Sequence, residues 1–246
     1  MVLHLLQGIV TGNNPAFIFE NEDDALAHGV DTVLLHPLCH GRDIGRYEIK
    51  SRERRILYID NSIDIEDYPN TKKWLLDFKE QLSKRREAKK GVISWYGLQW
   101  PRVKSELDIK EKILIQRTRN EALKQRIIAT IDEEGVYGME GIYFIITKDE
   151  GVSLYFLLGI LNSKLMNYLF ATKFLNLAIK AEYLKQVMIP SASDKNIITL
   201  VKEILQTKRM NSGTDTSSLE HEIDQLVYQL YGLTDEEIAI VEGSNE

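Results

Sequence analysis

HPLCHGRDIGRYEIKSRERRILYID, residues 36–60, is the stretch of sequence from which we infer the fold. It opens with a turn that contains Gly41 and closes with an apolar run at residues 56–59, which predicts a buried strand. Six basic residues lie between these ends, with Tyr47 among them: Arg42, Arg46, Lys50, Arg52, Arg54 and Arg55. A rigid apolar edge with an arginine-rich loop can present guanidinium groups to phosphates and to guanine edges. The stretch therefore predicts nucleic-acid binding.

The acidic net charge of the chain conceals a basic middle. The 246 residues carry a net charge of −6, but residues 210–246 contain nine acidic residues and no Lys or Arg. This leaves 31 basic and 28 acidic residues in 1–209, and the window 42–126 holds 22 basic and 14 acidic residues. Phosphate affinity follows the local charge within a Debye length of about 8–10 Å, so the acidic total does not exclude a nucleic-acid partner. A solvated, lysine-rich helix surface explains the charge equally well.

Cysteine and histidine content limits the cellular setting and the metal chemistry. The single cysteine, Cys39, excludes an internal disulfide and is typical of a reducing compartment. Residues 1–10 lack the features of a signal peptide, and no apolar run has the length of a membrane span. We expect a cytoplasmic protein with no membrane association. His36, Cys39 and His40 are too few for a four-ligand zinc site, so we predict no metal.

Hydrophobic periodicity predicts an α+β fold, with a mixed, twisted β-sheet from residues 4–190 and a helical C-terminal part. Strands are predicted at residues 5–10, 16–19, 32–35, 56–59, 111–116, 126–130, 141–147 and 183–189. Helices are predicted at residues 22–28, 71–90, 153–174 with a break near Asn162, 194–210, 218–231 and 234–241. Thr71 is the predicted cap of the second helix, and Thr234 opens a capping box in the last one.

An aromatic loop follows the predicted helix at residues 71–90, which is rich in Lys and Arg. SWYGLQWPR, residues 94–102, places Trp95, Tyr96 and Trp100 within six positions, immediately before Arg102. Exposed aromatic rings next to arginine can stack on bases or insert into a groove. Tryptophans in loops also act as core side chains that fix the loop to a sheet. We expect one of these aromatic residues in the core and another at the surface.

The order of motifs along the chain resembles a known family. The motifs are GIVTGNNPAFIF at 8–19, HPLCHGRDIGRY at 36–47, Tyr68-Pro69, WYGL at 95–98 with Pro101-Arg102, LLGILNSKL at 157–165 and EIDQLVYQLYGLTDEEIAIV at 222–241. In this order they resemble the TaqI-like C-terminal specificity domain, the target-recognition module of N6-adenine methyltransferases and type IIG restriction–modification enzymes. His36 stands where the family usually has lysine. The resemblance implies a module that recognises duplex DNA in the major groove and positions it for a catalytic domain.

The catalytic motifs of such enzymes are absent from the sequence. The Asn-Pro-Pro-Tyr tetrapeptide that holds a flipped adenine does not occur, nor does a glycine-rich S-adenosylmethionine loop. Asp108-Ile109-Lys110 has the form of a nuclease motif but lacks a partner acid on a predicted strand. We therefore expect no catalysis and no cofactor in this chain, with S-adenosylmethionine and Mg²⁺ bound only by an attached or partner methyltransferase or nuclease domain. We expect the chain to be a fragment or subunit of such an enzyme.

We divide the chain into a DNA target-recognition domain, residues 1–190, and a helical extension, residues 191–246, that packs on it or on a catalytic partner. The predicted DNA contacts are Arg42, Arg46, Arg52, Arg54, Arg55, Arg102, Arg117 and Arg119, with Asn13, Asn14, Tyr47 and Tyr96 as secondary candidates. Arg85, Arg86 and Lys89 are predicted phosphate contacts. Two alternatives stay open: a protein-interaction or scaffolding module with a basic face, and a small stand-alone nuclease.

Overall fold

The computed structural model describes residues 4–117, 125–147, 153–174, 178–190 and 193–243, which form an α+β fold. The strands in these ranges are β1 His4–Gln7, β2 Ile18–Phe19, β3 Leu35–Cys39, β4 Ile44–Gly45, β5 Glu48–Ile49, β6 Arg55–Leu57, β7 Lys112–Gln116, β8 Ala129–Asp132, β9 Tyr137–Gly138 and β10 Ile142–Ile146. The helices are α1 Asn14–Phe17, α2 Glu22–Ala27, α3 Pro69–Leu76, α4 Lys79–Ser83, α5 Arg86–Lys89, α6 Lys104–Leu107, α7 Leu154–Asn162, α8 Lys164–Lys173, α9 Ala181–Lys185, α10 Lys195–Met210, α11 Ser217–Tyr231 and α12 Asp235–Val241.

The central sheet, in the order β1-β10-β7-β8, is antiparallel and is buried on both faces. Because side chains alternate along a strand, Ile113 and Ile115 of β7 face one hydrophobic core, and Leu114 faces another. The C-terminal core contains Ile113 and Ile115 together with apolar residues of α7, α10 and α11. The N-terminal core contains Leu114 together with apolar residues of β2, β3 and β6. Both cores therefore depend on the same two inner strands, β7 and β10.

A second, mixed sheet lies beside the N-terminal core, in the order β2-β6-β3-β9. Its pairs are antiparallel except for β3 with β9, where Cys39 lies opposite Gly138 in a parallel register. Three residues separate β9 from β10, so the two sheets meet at this point of the chain. Gly8 passes the same point so closely that a Cβ atom there would lie 1.9 Å from the carbonyl oxygen of Met139. The crossing therefore requires glycine at position 8.

The C-terminal helices pack on the rest of the chain. α10 contacts α7, and α11 contacts both α10 and α8. Ile197, Val201 and Ile204 of α10 are fully buried in the C-terminal core, which the helical spacing of these residues predicts. The helices within residues 193–243 thus share a core with the sheet, and the domain boundary at residue 190 remains a prediction.

No single helix in the described part of the chain is long and apolar enough to cross a membrane. α7 and α8 meet that test only as a pair, with a bend of 58° between them. The bend lies at Ser163, whose hydroxyl accepts a hydrogen bond from the backbone N–H of Met166 and so caps α8. Eight of the nine residues of α7 are buried inside the protein.

Several helix predictions are confirmed. The predicted helix at 22–28 is α2, and Gly29 follows it with a φ of +73°. Asp194 caps α10 by accepting the N–H groups of Asn196 and Ile197. The capping box of α12 is present, with Thr234 and Glu237 bonded in both directions.

Other predicted elements are wrong in type or in extent. Residues 183–189, predicted as a strand, belong in part to the helix α9, because a short apolar run fits either element. Residues 71–90, predicted as one helix, form α3, α4 and α5, and Thr71 lies inside α3 rather than at its cap. The Thr71 hydroxyl is instead buried and donates to Asp31 at 2.7 Å. The predicted strand at 16–19 is the end of α1 followed by β2.

A buried ionic cluster joins the central sheet to the segments around it. The Asp132 carboxylate is fully buried, accepts Arg52 Nη1 at 2.6 Å and lies 3.7 Å from Lys112 Nζ. It also accepts the backbone N–H groups of the turn after β8, at residues 134–136. Lys112 Nζ donates to the carbonyls of Leu107 and Ile109, each at 2.7 Å, and burial lowers the pKa of Lys112 to about 8. One carboxylate thus fixes two cations and a turn.

We expect Asp132→Ala to lower the free energy of unfolding by about 3–5 kcal/mol, because it removes the acceptor and leaves the buried Lys112 ammonium without its counter-ion. Urea denaturation followed by circular dichroism measures this change. The control is Glu134→Ala, which removes a carboxylate whose side chain is 69% exposed and 3.7 Å from Arg52. It should change stability by less than about 0.5 kcal/mol. Equal stability of the two variants would contradict the structural role of Asp132.

Candidate nucleic-acid interface

The arginines of the 42–55 segment mostly point into the protein. Arg46 forms an ion pair with Glu220 of α11 and donates to the carbonyl oxygen of Asn162 at 2.5 Å. Its side chain is 17% exposed. Since its donors are bound to the C-terminal helices, Arg46 holds the β4–β5 hairpin against them. We therefore remove Arg46 from the candidate DNA contacts.

Arg52, Arg54 and Arg55 also have acidic partners within the chain. Arg52 binds Asp132 at 2.6 Å, and Arg54 binds Asp43 at 2.9 Å. Arg55 lies 3.2 Å from Glu22, and its Nη1 donates to the backbone carbonyls of residues 52–54. Their side chains are 29%, 16% and 23% exposed. These contacts occupy the guanidinium groups that a DNA contact would need.

Tyr47 is buried and is not available to a ligand outside the protein. It is 2% exposed, it packs in the C-terminal core, and its φ of +61° is in the left-handed region. Its backbone N–H donates to the carbonyl oxygen of Ala129, which fixes the hairpin to the edge strand β8. Burial raises the pKa of the Tyr47 hydroxyl far above its usual range. We remove Tyr47 from the candidate contacts as well.

The three predicted phosphate contacts on the basic helices separate into one structural and two exposed residues. Arg85 is 9% exposed and donates to the carbonyls of Leu82, Thr11 and Trp95 at 2.8–2.9 Å. Burial lowers its pKa to about 10. The backbone of Arg85 is extended, and this is where α4 and α5 are separated. Arg86 and Lys89 are exposed, so they stay candidates for phosphate contact.

A different set of arginines lies where the two sheets meet. Arg117 follows β7 directly; its backbone N–H donates to the carbonyl of Gly141 at 2.9 Å, and its Nη1 donates to that of Glu140 at 3.3 Å. Burial, together with the nearby charge of Arg117, lowers the pKa of Arg102. A Cβ atom on Gly41 would lie 3.1 Å from the Gly141 carbonyl oxygen, so the turn that carries Arg42 lies beside Gly141. We call Arg42, Arg102 and Arg117 the arginine edge.

The arginine edge is only lightly bound to the protein. Arg42 is exposed, and within the described ranges its side chain makes no hydrogen bond or ion pair. Arg102 Nε donates to the Gly8 carbonyl at 2.8 Å, while its Nη2 has a long contact of 3.3 Å with the exposed amide of Gln7. Arg119 lies outside the described residues. Neither neutral carbonyls nor an amide cancel a guanidinium charge. The Glu140 carboxylate acts electrostatically on Arg102, but one carboxylate against three guanidinium groups leaves the edge with a net positive charge.

The aromatic loop divides as the sequence predicts. Trp95 and Tyr96 pack against the N-terminal core, and the Tyr96 hydroxyl donates to the carbonyl of Ile63 at 3.3 Å. Trp100 is 45% exposed, although its backbone forms a β-bridge with Val10. Because Trp100 lies two residues before Arg102, an exposed indole ring adjoins the arginine edge. Tyr96 is a weaker candidate for a DNA contact than Trp100.

The two asparagines of the 8–19 motif shape a turn. Asn14 Oδ1 accepts the Thr11 hydroxyl at 2.5 Å, and Asn13 Nδ2 donates to Gln81 of α4 at 2.7 Å. Asn14 is exposed and Asn13 is half-buried. Both asparagines still have amide groups near the surface, so they remain secondary candidates.

The residues considered as metal ligands have other roles. The His36 ring stacks on Tyr137 with centroids 4.4 Å apart, and burial raises the pKa of the Cys39 thiol to about 12. The His40 side chain closes a 3-10 turn with Asp43. Asp108, of the nuclease-like motif, binds the Tyr137 hydroxyl and lies 2.8 Å from Lys104. In the described part of the chain, no three His, Cys, Asp or Glu residues are grouped so as to hold a metal ion.

Sequence reasoning missed the residues that organise the edge. Glu140 and Gly141 supply the backbone carbonyls to which Arg117 is bonded, and Gln7 supports Arg102. The available signal was the pair of glycines, Gly41 and Gly141, since each follows or precedes a strand where two backbones approach closely. This signal identifies a close approach without saying which segments meet.

The sequence is similar to those of several restriction–modification proteins. The sequence matches the TaqI-like C-terminal specificity domain over residues 36–190. It is 31% identical over 134 residues to the putative type II restriction enzyme and methyltransferase RM.MjaORFECS2P of Methanocaldococcus jannaschii, covering 49% of this chain and 11% of that protein. It is 24% identical over 248 residues to the type II methyltransferase M.BstVI of Geobacillus stearothermophilus, covering 97% of this chain and 41% of that protein.

Two solved structures share the fold. The type IIL restriction–modification enzyme MmeI, solved in complex with DNA, superposes with a TM-score of 0.63 at 14% identity, covering 97% of this chain and 34% of that one. The type IIG restriction endonuclease BpuSI gives a TM-score of 0.52 at 15% identity, covering 93% of this chain and 30% of that one. The chain thus spans about two fifths or less of the length of these relatives.

The neighbours Arg85 and Arg86 provide a direct test of the division between inward and exposed arginines. Arg85→Met should lower the free energy of unfolding by about 2–4 kcal/mol, because three carbonyls lose a charged donor. Arg86→Met, one residue further on, should change it by less than about 0.5 kcal/mol. Urea denaturation of both variants measures the difference. A loss of stability in Arg86→Met as large as that in Arg85→Met would contradict the division.

Proposed function

The chain belongs to the family of TaqI-like C-terminal specificity domains, and we propose that it recognises a duplex DNA target for a methyltransferase and nuclease carried in cis or in trans. The family predicted from the ordered motifs is confirmed by the match over residues 36–190. As a member, the chain is a DNA target-recognition module of the restriction–modification type. The arginine edge is the single observation that supports a particular surface for this role.

The arginine edge suits duplex DNA because it combines charge with rigidity. Arg117 directly follows the buried strand β7, Arg42 lies in the short 3-10 turn after β3, and the side chain of Arg102 is bonded to the carbonyl of Gly8, so the backbone that carries the edge is held by the two cores. An arginine fork can bond O6 and N7 of guanine in the major groove, and single N–H groups bond phosphate. Arg119, two residues after Arg117 in the sequence, remains a proposed contact. Asn13, Asn14, Arg86 and Lys89 complete the proposal, the last two as phosphate contacts.

We assign the chemistry to other parts of the enzyme. The relatives named above are methyltransferases and restriction enzymes, and this chain spans two fifths of M.BstVI. S-adenosylmethionine and Mg²⁺ would be bound by a catalytic domain outside this chain. That domain would be attached to the chain or supplied by a partner in the cytoplasm. In this proposal the chain contributes position and selectivity, and no residue of it contacts the reacting atoms.

We expect Arg102→Ala and Arg117→Ala each to weaken binding to the preferred duplex by about 1–3 kcal/mol. The duplex is selected from a random-sequence library with the full chain, and affinity is measured by fluorescence anisotropy at several salt concentrations. Arg117→Lys keeps the charge but loses the planar fork, so it separates a base contact from a phosphate contact. A phosphate contact keeps most of its affinity with lysine, whereas a guanine contact loses the bidentate geometry of the fork and with it part of the preference for guanine.

The control for this experiment is Lys195→Ala, an exposed cation in the first turn of α10. It should leave affinity and selectivity unchanged. The scaffolding alternative, in which the basic face binds an acidic protein, predicts no preference among duplex sequences. Failure to select any sequence, or unchanged selectivity in the double variant of Arg102 and Arg117, would therefore exclude the proposed surface.

Trp100 gives a spectroscopic test of the same surface. Trp74 is bonded to the Ala16 carbonyl at 3.0 Å and Trp95 packs on Tyr96, so Trp100 is the tryptophan with the exposed ring. We expect duplex DNA to change the indole emission, and we expect Trp100→Phe to abolish that change while Trp95→Phe retains it. Loss of stacking in Trp100→Ala should also weaken binding by about 1–3 kcal/mol. If DNA does not change the indole emission, Trp100 does not belong to the interface.

A further inference from the structure

A cavity of about 600 Å³ lies between the β4–β5 hairpin and the end of α10. One wall is formed by residues 47–52, and a second by Thr130 and Ile131 of the edge strand β8. The last turns of α10, with Leu205 and Lys208, close it. The volume is in the range of small-molecule sites, which is about 300–1,000 Å³. None of the residues of the arginine edge lines this cavity.

Two polar atoms in the wall of this cavity have no hydrogen-bond partner. They are Oε2 of Glu48 and Oγ1 of Thr130, and both are buried. Thr130 as a whole is 1% exposed. A buried polar atom without a partner costs about 1–3 kcal/mol, and native proteins leave few of them. A carboxylate oxygen accepts only, so Glu48 requires a donor from whatever fills the cavity.

Basic side chains also line the cavity, and an unpaired one requires an acceptor rather than a donor. Lys50, Arg52, Lys208 and Arg209 line it, against the two acids Glu48 and Glu134. Lys50 is exposed, and its ammonium group makes no hydrogen bond or ion pair with the residues that the structure describes. Arg209 is 57% exposed while paired with Glu133. Arg52 is likewise paired with Asp132, and Lys208 donates to the backbone carbonyls of Ser212 and Thr214. The ammonium group of Lys50 is therefore the charge that favours an anionic group, and it is separate from the carboxylate that needs a donor.

We propose that this cavity binds a nucleoside monophosphate whose base carries an amino group. The amino group donates to Glu48 Oε2, the Thr130 hydroxyl bonds a second polar atom of the base, and the phosphate lies against Lys50 and Arg209. A nucleotide supplies both a donor edge and a phosphate in one molecule, whereas inorganic phosphate supplies no partner for Glu48. The proposal is independent of the arginine edge, since it concerns different residues.

Isothermal titration calorimetry of the full chain with GMP, AMP, CMP, TMP and inorganic phosphate tests the proposal. We expect one or more of the amino-bearing nucleotides to bind at least about tenfold more tightly than phosphate, since one hydrogen bond to a charged group accounts for such a ratio. Glu48→Gln should lower this affinity by about tenfold or more, and Lys50→Ala should weaken nucleotide and phosphate binding alike. The matched control is Glu53→Gln, an exposed carboxylate of the same segment that does not line the cavity.

The source of the nucleotide is resolved by a second titration. A single-stranded trinucleotide that competes with the mononucleotide indicates that the cavity accepts a nucleotide within a strand, and one that does not compete indicates a free nucleotide.

Thr130→Val is the secondary variant; if it fails to fold, Glu48→Gln carries the test because its side chain is only half-buried. Equal affinity for phosphate and nucleotides, no effect of Glu48→Gln, or no binding at millimolar nucleotide would overturn the proposal.

Discussion

The fold depends on one constraint: the inner strands β7 and β10 are buried on both faces. Alternate side chains of β7 enter different cores, so a shift of one residue in the register would exchange the two cores. This fixes where each strand ends. Arg117 directly follows β7, and Gly141 directly precedes β10, so the surface at this end is held by interior packing. The rigidity of the arginine edge is therefore a consequence of the cores.

Arginine content alone did not reveal which cations are available. Two of the acids that bind the inward arginines are remote in sequence: Glu220 lies 174 positions from Arg46, and Asp132 lies 80 positions from Arg52. Short-range charge patterns contain no trace of such pairs. Composition also cannot show whether an arginine is buried in an ion pair, because the same guanidinium group can bind a phosphate at the surface or a carboxylate in the interior. The sequence predicted a basic segment correctly and assigned its individual side chains less well.

Elements that rely on local signals were predictable from the sequence. Asp194 as a cap and the long amphipathic repeat of α10 specify that helix without outside help. Residues 183–189 offered only a short apolar run, whose conformation as a helix is decided by packing against the C-terminal core. Arg85 shows the same limit of local sequence signals, inside the predicted helix at residues 71–90. Its hydrogen bonds to Thr11 and Trp95 interrupt a continuous helical pattern, and neither partner is near it in sequence.

The inward pairing of charge has a consequence for recognition. Arg46 and Lys164 are bound by Glu220 and Glu242, so acids of the C-terminal segment neutralise cations of the sheet and of α8. The surface charge that can attract phosphates is therefore smaller than the number of basic residues suggests. Non-specific DNA affinity rises with the number of phosphates neutralised and falls with salt in proportion to it. Each cation that is paired within the chain is one fewer to neutralise phosphates, so this pairing lowers non-specific affinity and raises the share that contacts to base edges supply. In the proposed function, selectivity among sequences would then rest on a small number of side chains at one edge of the sheet.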